Sequence, residues 1–205
     1  MMITYTSILL FMAGYFIGSI PFGYLIGQIK NIDIRQFGSG NIGATNVYRK
    51  LGLWPGILVG FLDFFKAYLI VSIIFSFNNI PLSLKLILSI SPILGHIFPI
   101  WFKFKGGKGV GSTFGLLAAI FGWKFIILWL IIWIILLLTT HLMSLINLFM
   151  SLVLPIIFWI QFKTTTAIIL GICLTIIIWW THRQNIKKLL KGTENKIYFY
   201  KLNKI

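Results

Sequence analysis

Residues 110–140 read VGSTFGLLAAIFGWKFIILWLIIWIILLLTT, 31 residues without an acid and with a single base, Lys124. As one helix the stretch would run roughly 46 Å at about 1.5 Å per residue, against a hydrocarbon core of about 30 Å. Gly122-Trp-Lys124 lies near its middle, so the stretch is read as two spans, the first of them short. That division decides the fold, because it sets on which side of the membrane everything after residue 140 emerges.

Outward from it, further apolar runs near residues 3–27, 54–77, 83–101, 145–162 and 165–182 are of membrane-spanning length, making seven spans. A chain that is 59% hydrophobic and 10% charged, with a mean hydropathy of +0.97, is far from a soluble composition. The expected fold class is an all-α polytopic membrane protein of seven transmembrane helices. At 205 residues the chain supports one domain, or one compact membrane bundle, over 1–205. Residues 1–27 lack a basic leading region and carry a long apolar stretch, so they read as a retained first helix, not a cleaved signal.

The charges orient this arrangement. The net charge is +15, from 18 Lys and Arg against Asp33, Asp63 and Glu194. With the N-terminus outside and the C-terminus cytoplasmic, 14 of the 18 bases fall inside: Lys30, Arg35, Arg49, Lys50, Lys103, Lys105, Lys108 and the seven from Arg183 to Lys204. Lys85, Lys124 and Lys163 mark outside ends, and Lys66 lies within span two. This asymmetry follows the positive-inside rule. Seven spans also bring all three polar segments to the cytoplasmic face, whereas six would put the third opposite the first two. Nucleic-acid binding does not fit charges that flank spans; anionic head groups or phosphorylated substrates do. The lone Cys173 sits in an apolar run, which implies neither a disulfide framework nor a metal cluster. The glycine pairs Gly14/Gly18, Gly23/Gly27 and Gly56/Gly60 are expected to let helices approach closely.

The three polar segments carry the chemistry. In the first, Gly38-Ser-Gly-Asn41 is a turn that brings backbone N–H groups close to a ligand. Ser39 or Asn41 is expected to cap a short helix in which Asn41, Thr45 and Arg49, four apart, share a face and form an anion site. In the second, Lys105-Gly-Gly-Lys-Gly109 can cradle a phosphate between exposed backbone donors and two point charges, with His96 near the same face. Its spacing is not that of a Walker A loop. In the third, His182 and Asn185 stand at i, i+3 where the last span meets the cytoplasm. His182 can serve as general base or phosphate donor, and Ile186, Leu189 and Leu190 alternate with Lys187, Lys188 and Lys191 as in an interfacial helix.

The blocks GSIPFGYLIG, FGSGNIGATNVYRKLG, GHIFPIWFKFKGGKGV and HRQNIKKLLKGTENK, in this order and spacing, closely resemble the bacterial acyl-phosphate:glycerol-3-phosphate acyltransferase family over essentially the whole chain. The resemblance implies a seven-helix inner-membrane enzyme with a cytoplasmic active site. It would transfer a fatty acyl group from a long-chain acyl phosphate to the 1-hydroxyl of sn-glycerol 3-phosphate. The products would be lysophosphatidic acid and phosphate, with no cofactor and no CoA or carrier-protein thioester as donor, and a phosphate acyltransferase would be the functional link that makes the acyl phosphate. From the residues themselves, magnesium is not indicated, since no paired carboxylates face the cytoplasmic loops.

Residue by residue, the resemblance points to Ser39, Asn41, Thr45, Asn46 and Arg49 in the first motif. In the glycine-rich motif, read as the glycerol-phosphate site, it points to His96, Lys105, Gly106, Gly107, Lys108 and Gly109. In the third it points to His182 and Asn185, with Glu194 structural, and in the loop before span six to Ser144. Ser39, Arg49, His182 and Asn185 are the catalytic candidates and the others bind substrate. Asp63 and Lys66, at i, i+3 within span two, read as a self-neutralising pair with a structural role. Val110-Gly-Ser-Thr113 and His141-Leu-Met143 depart from the family's usual residues. On this reading Lys105, Lys108 and the loop amides hold glycerol 3-phosphate, while Arg49 with Ser39 and Asn41 holds the donor phosphate. The hydroxyl proton goes to His182, oriented by Asn185, or to a substrate phosphate. Two other classes fit the polar segments less well. A transporter would usually show repeat symmetry and midplane polar groups; a scaffold would not explain Ser, Asn, Thr and His set around glycine turns.

Overall fold

Pro21 interrupts the first apolar run because it has no N–H to donate and its ring clashes with the preceding turn. In the computed structural model, which describes residues 2–197, the run accordingly splits into α1 (Met2–Gly18) and α2 (Phe22–Ile29). Further helices are α3 (Ala44–Leu51), α4 (Leu53–Ser76), α5 (Leu82–Leu88), α6 (Ser91–Ile97) and α7 (Val110–Phe121). These make up the first of two compact units, ending at Gly122. The second begins at Trp123 and holds α8 (Trp123–Thr140), α9 (Met143–Ser151), α10 (Leu154–Phe162), α11 (Thr165–Thr181) and α12 (Arg183–Leu190).

No strand occurs among the described residues, and five stretches are long and apolar enough to cross a membrane: 4–29, 53–76, 82–102, 123–140 and 143–162. Over the described residues the fold is therefore all-helical, with several segments of membrane-spanning length. α11 and α12 reach that length and hydropathy only when taken together across a 63° bend, and would then make a sixth. The break expected near Gly122 is present, with that glycine at φ 83°. It leaves α7 at 12 residues, about 18 Å, short of the roughly 30 Å core. Lys201 and Lys204 of the basic tail lie outside the described residues.

Glycines set the close approaches in the first unit. A Cβ at Gly14 would overlap the Ser91 hydroxyl, and one at Gly18 the Pro92 carbonyl, so α1 and α6 pack backbone to backbone. On α7, Gly115 faces the Phe64 carbonyl and Gly111 lies over Asp63, where a Cβ would stand 3.2 Å from that residue's own Cβ. Ser112 between them donates to the Asp63 carbonyl at 3.2 Å. These contacts hold α7 against the polar middle of α4, as small residues do where no water drives helix association.

The second unit is tied by side-chain hydrogen bonds within its apolar helices. Thr175 donates to the Ser151 carbonyl at 2.6 Å and the Trp179 indole to the Ser151 hydroxyl at 3.2 Å. The Trp133 indole reaches Asn147 at 2.9 Å. Gly171 abuts the backbone of Pro155, bringing α10 and α11 together.

Candidate active site

In the first unit the Gly38–Asn46 loop is held by its last residue. Asn46 is buried, its amide donating to the Ile34 and Phe37 carbonyls at 3.0 and 2.9 Å while its oxygen accepts the Ser39 N–H at 3.2 Å. Gly38 and Gly40 take φ of 56° and 67°, the left-handed conformation such a tight loop requires. The helix that follows starts later than the sequence suggests. It begins at Ala44 with Gly43 at the cap position and no side-chain cap, so Ser39 and Asn41 stand outside it. Asn41 instead accepts the Gly43 N–H at 2.8 Å, an Asx turn that competes with helix. Only Thr45 and Arg49 then share a face of α3.

Asn41 also reaches the second motif, its amide meeting the Gly106 carbonyl at 3.5 Å. There the backbone turns back on itself through Lys103 and Phe104, at φ 50° and 61°. The Gly106 and Gly107 N–H groups donate to the Ile97 and His96 carbonyls at 2.9 and 3.0 Å. They thereby satisfy the last turn of α6, whose terminal carbonyls have no intrahelical donors. These two amides are engaged and do not form the exposed nest expected of the glycines. The cationic groups of the motif are exposed Lys105 and half-buried Lys108, directly before α7 with Gly109 at its cap. The first-turn amides of α7 and its dipole add positive potential there.

His96 is deeply buried, and Gly107 must lack a side chain because a Cβ would overlap the His96 Nε2. The other ring nitrogen, Nδ1, lies 3.1 Å from the Lys66 ammonium. Lys66 donates to Asp63 Oδ1 at 2.7 Å and to the Ile20 carbonyl at 2.9 Å, exposed to it by the break at Pro21. The Asp63–Lys66 pair therefore extends to a third member 30 residues away. The i, i+3 spacing marks the pair in the sequence, but nothing there signals its attachment to His96.

In the second unit, His182 is 1% exposed and closes α11. Its Nδ1 lies 2.8 Å from the Ile178 carbonyl, an acceptor only, so Nδ1 carries the proton and Nε2 the lone pair of the neutral ring. The Ile178 carbonyl fixes the tautomer of the imidazole. Asn185 donates to Glu194 Oε1 at 2.7 Å, the same oxygen that accepts the buried Ser144 hydroxyl at 2.9 Å. Among the described residues Glu194 has no ion pair, and its carboxylate joins Ser144 to Asn185.

Residues 8–192 match the sequence profile of the family described as glycerol-3-phosphate acyltransferase. The chain belongs to that family. A glycerol-3-phosphate acyltransferase of Prochlorococcus marinus (strain MIT 9215) is 39% identical over 93% of this chain and 98% of its own length. Glycerol-3-phosphate acyltransferase 2 of Lactobacillus acidophilus is 42% identical over 93% of this chain and 90% of its own. The crystal structure of PlsY (YgiH), an integral membrane glycerol 3-phosphate acyltransferase, in its glycerol 3-phosphate form matches with a TM-score of 0.89. The identity is 30%, covering 98% of this chain and 100% of that one. Its lysophosphatidic acid form matches with a TM-score of 0.85 at 31% identity.

Within this acyltransferase the structure brings Ser39, Asn41, Asn46, Gly106, Gly107 and His96 into one hydrogen-bonded neighbourhood of the first unit, and Ser144, Asn185 and Glu194 into another of the second. Asn46 holds the loop from beneath. Asn46→Ala would strand two carbonyls and an amide, lowering stability by about 2–3 kcal/mol. Thermal unfolding in detergent is expected to show that loss together with a raised KM. Unchanged melting would mean that the loop keeps its shape without the amide.

Proposed function

We propose that this protein transfers a fatty acyl group from a long-chain acyl phosphate to the 1-hydroxyl of sn-glycerol 3-phosphate, releasing lysophosphatidic acid and phosphate. The observation that carries this reading is the likeness, over nearly the whole chain, to one acyltransferase structure in both a glycerol 3-phosphate form and a lysophosphatidic acid form. The choice of acyl phosphate rests on the four motif blocks and on the chemistry. A mixed anhydride is already activated, so the site need only bind two phosphates, align the hydroxyl and stabilise the oxyanion.

Lys105, Lys108 and the start of α7 hold glycerol 3-phosphate, with His96 beside Gly107. Arg49, Thr45, Ser39 and Asn41 hold the donor phosphate and meet developing negative charge. His182 takes the hydroxyl proton on Nε2 as the oxygen attacks the acyl carbon, and the bond to phosphate breaks. Ser144 and Asn185, joined through Glu194, bind substrate beside it. Transfer is direct, since no base stands by Ser39 among the described residues to make it a nucleophile. All 205 residues serve one acyltransferase domain in the bacterial inner membrane. It has seven spans, the N-terminus outside, and the C-terminus and active site on the cytoplasmic side, an orientation supported by the distribution of basic residues. A phosphate acyltransferase supplies the donor.

The test is purified protein in liposomes with labelled glycerol 3-phosphate and either palmitoyl phosphate or palmitoyl-CoA. Labelled lysophosphatidic acid from the acyl phosphate alone is the expected outcome. Product only from the thioester would reassign the donor.

A further inference from the structure

We infer that Asp63 and Lys66 are positioning residues that lock His96 as a neutral ring with its proton on Nε2, making it a fixed hydrogen-bond donor to the phosphate held beside the glycine-rich loop. The inference rests on the proposed reaction for the identity of the phosphate, but not for the state of the ring.

A lysine ammonium has three N–H donors and no acceptor. Lys66 has three neighbours placed to accept them: Asp63 Oδ1 at 2.7 Å, the Ile20 carbonyl at 2.9 Å and His96 Nδ1 at 3.1 Å. An Nδ1 facing an ammonium must present its lone pair, so the ring proton resides on Nε2. An imidazolium there would set two cations against each other in a buried site, with Lys66 and His96 4% and 6% exposed. Asp63 supplies the one compensating charge, and its contact with Nδ1 is longer, at 3.4 Å. Nε2 has no hydrogen-bond partner among the described residues and points at Gly107, where a side chain would occupy its path. A neutral donor suits binding and not proton abstraction, the reverse of His182, whose proton is fixed on Nδ1.

Two experiments test this. In protein labelled with ring-15N histidine and held in nanodiscs, the His96 signals, identified by their loss in His96→Gln, should show Nε2 protonated and Nδ1 bare at neutral pH. Added glycerol 3-phosphate should shift Nε2 and leave Nδ1 little changed. A proton on Nδ1, or on both nitrogens, would overturn the inference, and this readout needs no turnover. In kinetics, Asp63→Leu with Lys66→Met removes both charges together, avoiding a lone buried ion. It should raise KM for glycerol 3-phosphate about tenfold, the usual size of a lost bond to a charged group, with kcat changed less. In a His96→Gln background, where a side-chain amide can stand in for the Nε2 donor, the same pair of changes should cost under about twofold more. Equal losses in both backgrounds would make the pair merely structural. The locked ring in a protein that does not use acyl phosphate would sink the reaction and leave this inference standing.

Discussion

Arg49→Ala is expected to lower kcat/KM for acyl transfer by about 10²–10³-fold, the size seen when one preorganised donor to a developing oxyanion is lost. Arg49 sits in the last turn of α3, one turn beyond Thr45 on the same face. The helix follows directly from the loop that Asn46 holds to the Ile34 and Phe37 carbonyls, so the guanidinium projects from a fixed base. Elsewhere on this loop and helix, Arg35 pairs with Asp33 at 2.6 Å and stacks on Tyr24 and Phe102, and Lys50 lies 3.9 Å from the Phe37 ring centroid. A planar fork meets two phosphate oxygens at once, which lysine as a point charge cannot reproduce. Arg49→Lys should therefore recover less than about a tenth of the lost activity, where a purely electrostatic role would be largely restored. Steady-state rates in liposomes with palmitoyl phosphate measure both. A fall under about tenfold for the alanine variant would move the donor phosphate to other groups.

What was legible in the sequence was what periodicity, length and local chemistry control. Apolar runs mark the helices because a backbone in lipid must satisfy itself. Gly122 marks the break after α7 because 31 apolar residues overrun the bilayer. The glycine pairs mark close contacts, as Gly14 and Gly18 make against Ser91 and Pro92. The candidate site was legible as a set of residue types, but not as a set of jobs. Nothing local told that Asn46 faces inward to hold a loop, or that the Gly106 and Gly107 amides complete the end of α6. The start of α3 is later than a cap at Ser39 or Asn41 would put it, because Asn41 makes an Asx turn with Gly43 and Gly43 takes the cap position. Least visible was His96 joining Asp63 and Lys66, since that contact depends on how the break at Pro21, α4 and α6 meet. Long-range partners of a polar residue are set by packing, and one chain read alone carries no signal for them.

His182→Ala is expected to reduce kcat by about 100-fold or more, the usual contribution of a positioned base, with KM for glycerol 3-phosphate changed little. The geometry makes the ring suited to that work. With its proton pinned on Nδ1 by the Ile178 carbonyl at 2.8 Å, the neutral imidazole has its lone pair on Nε2 and cannot present the wrong nitrogen. Near-complete burial keeps bulk water from competing for the hydroxyl proton. The competing acceptor is a phosphate oxygen of the substrate itself, which needs no protein base at all. Truncation to alanine leaves a cavity shaped for imidazole, so free imidazole should restore part of kcat if His182 moves the proton. A loss under about tenfold would assign the proton to the substrate. A large rise in KM without rescue would make His182 a binding group.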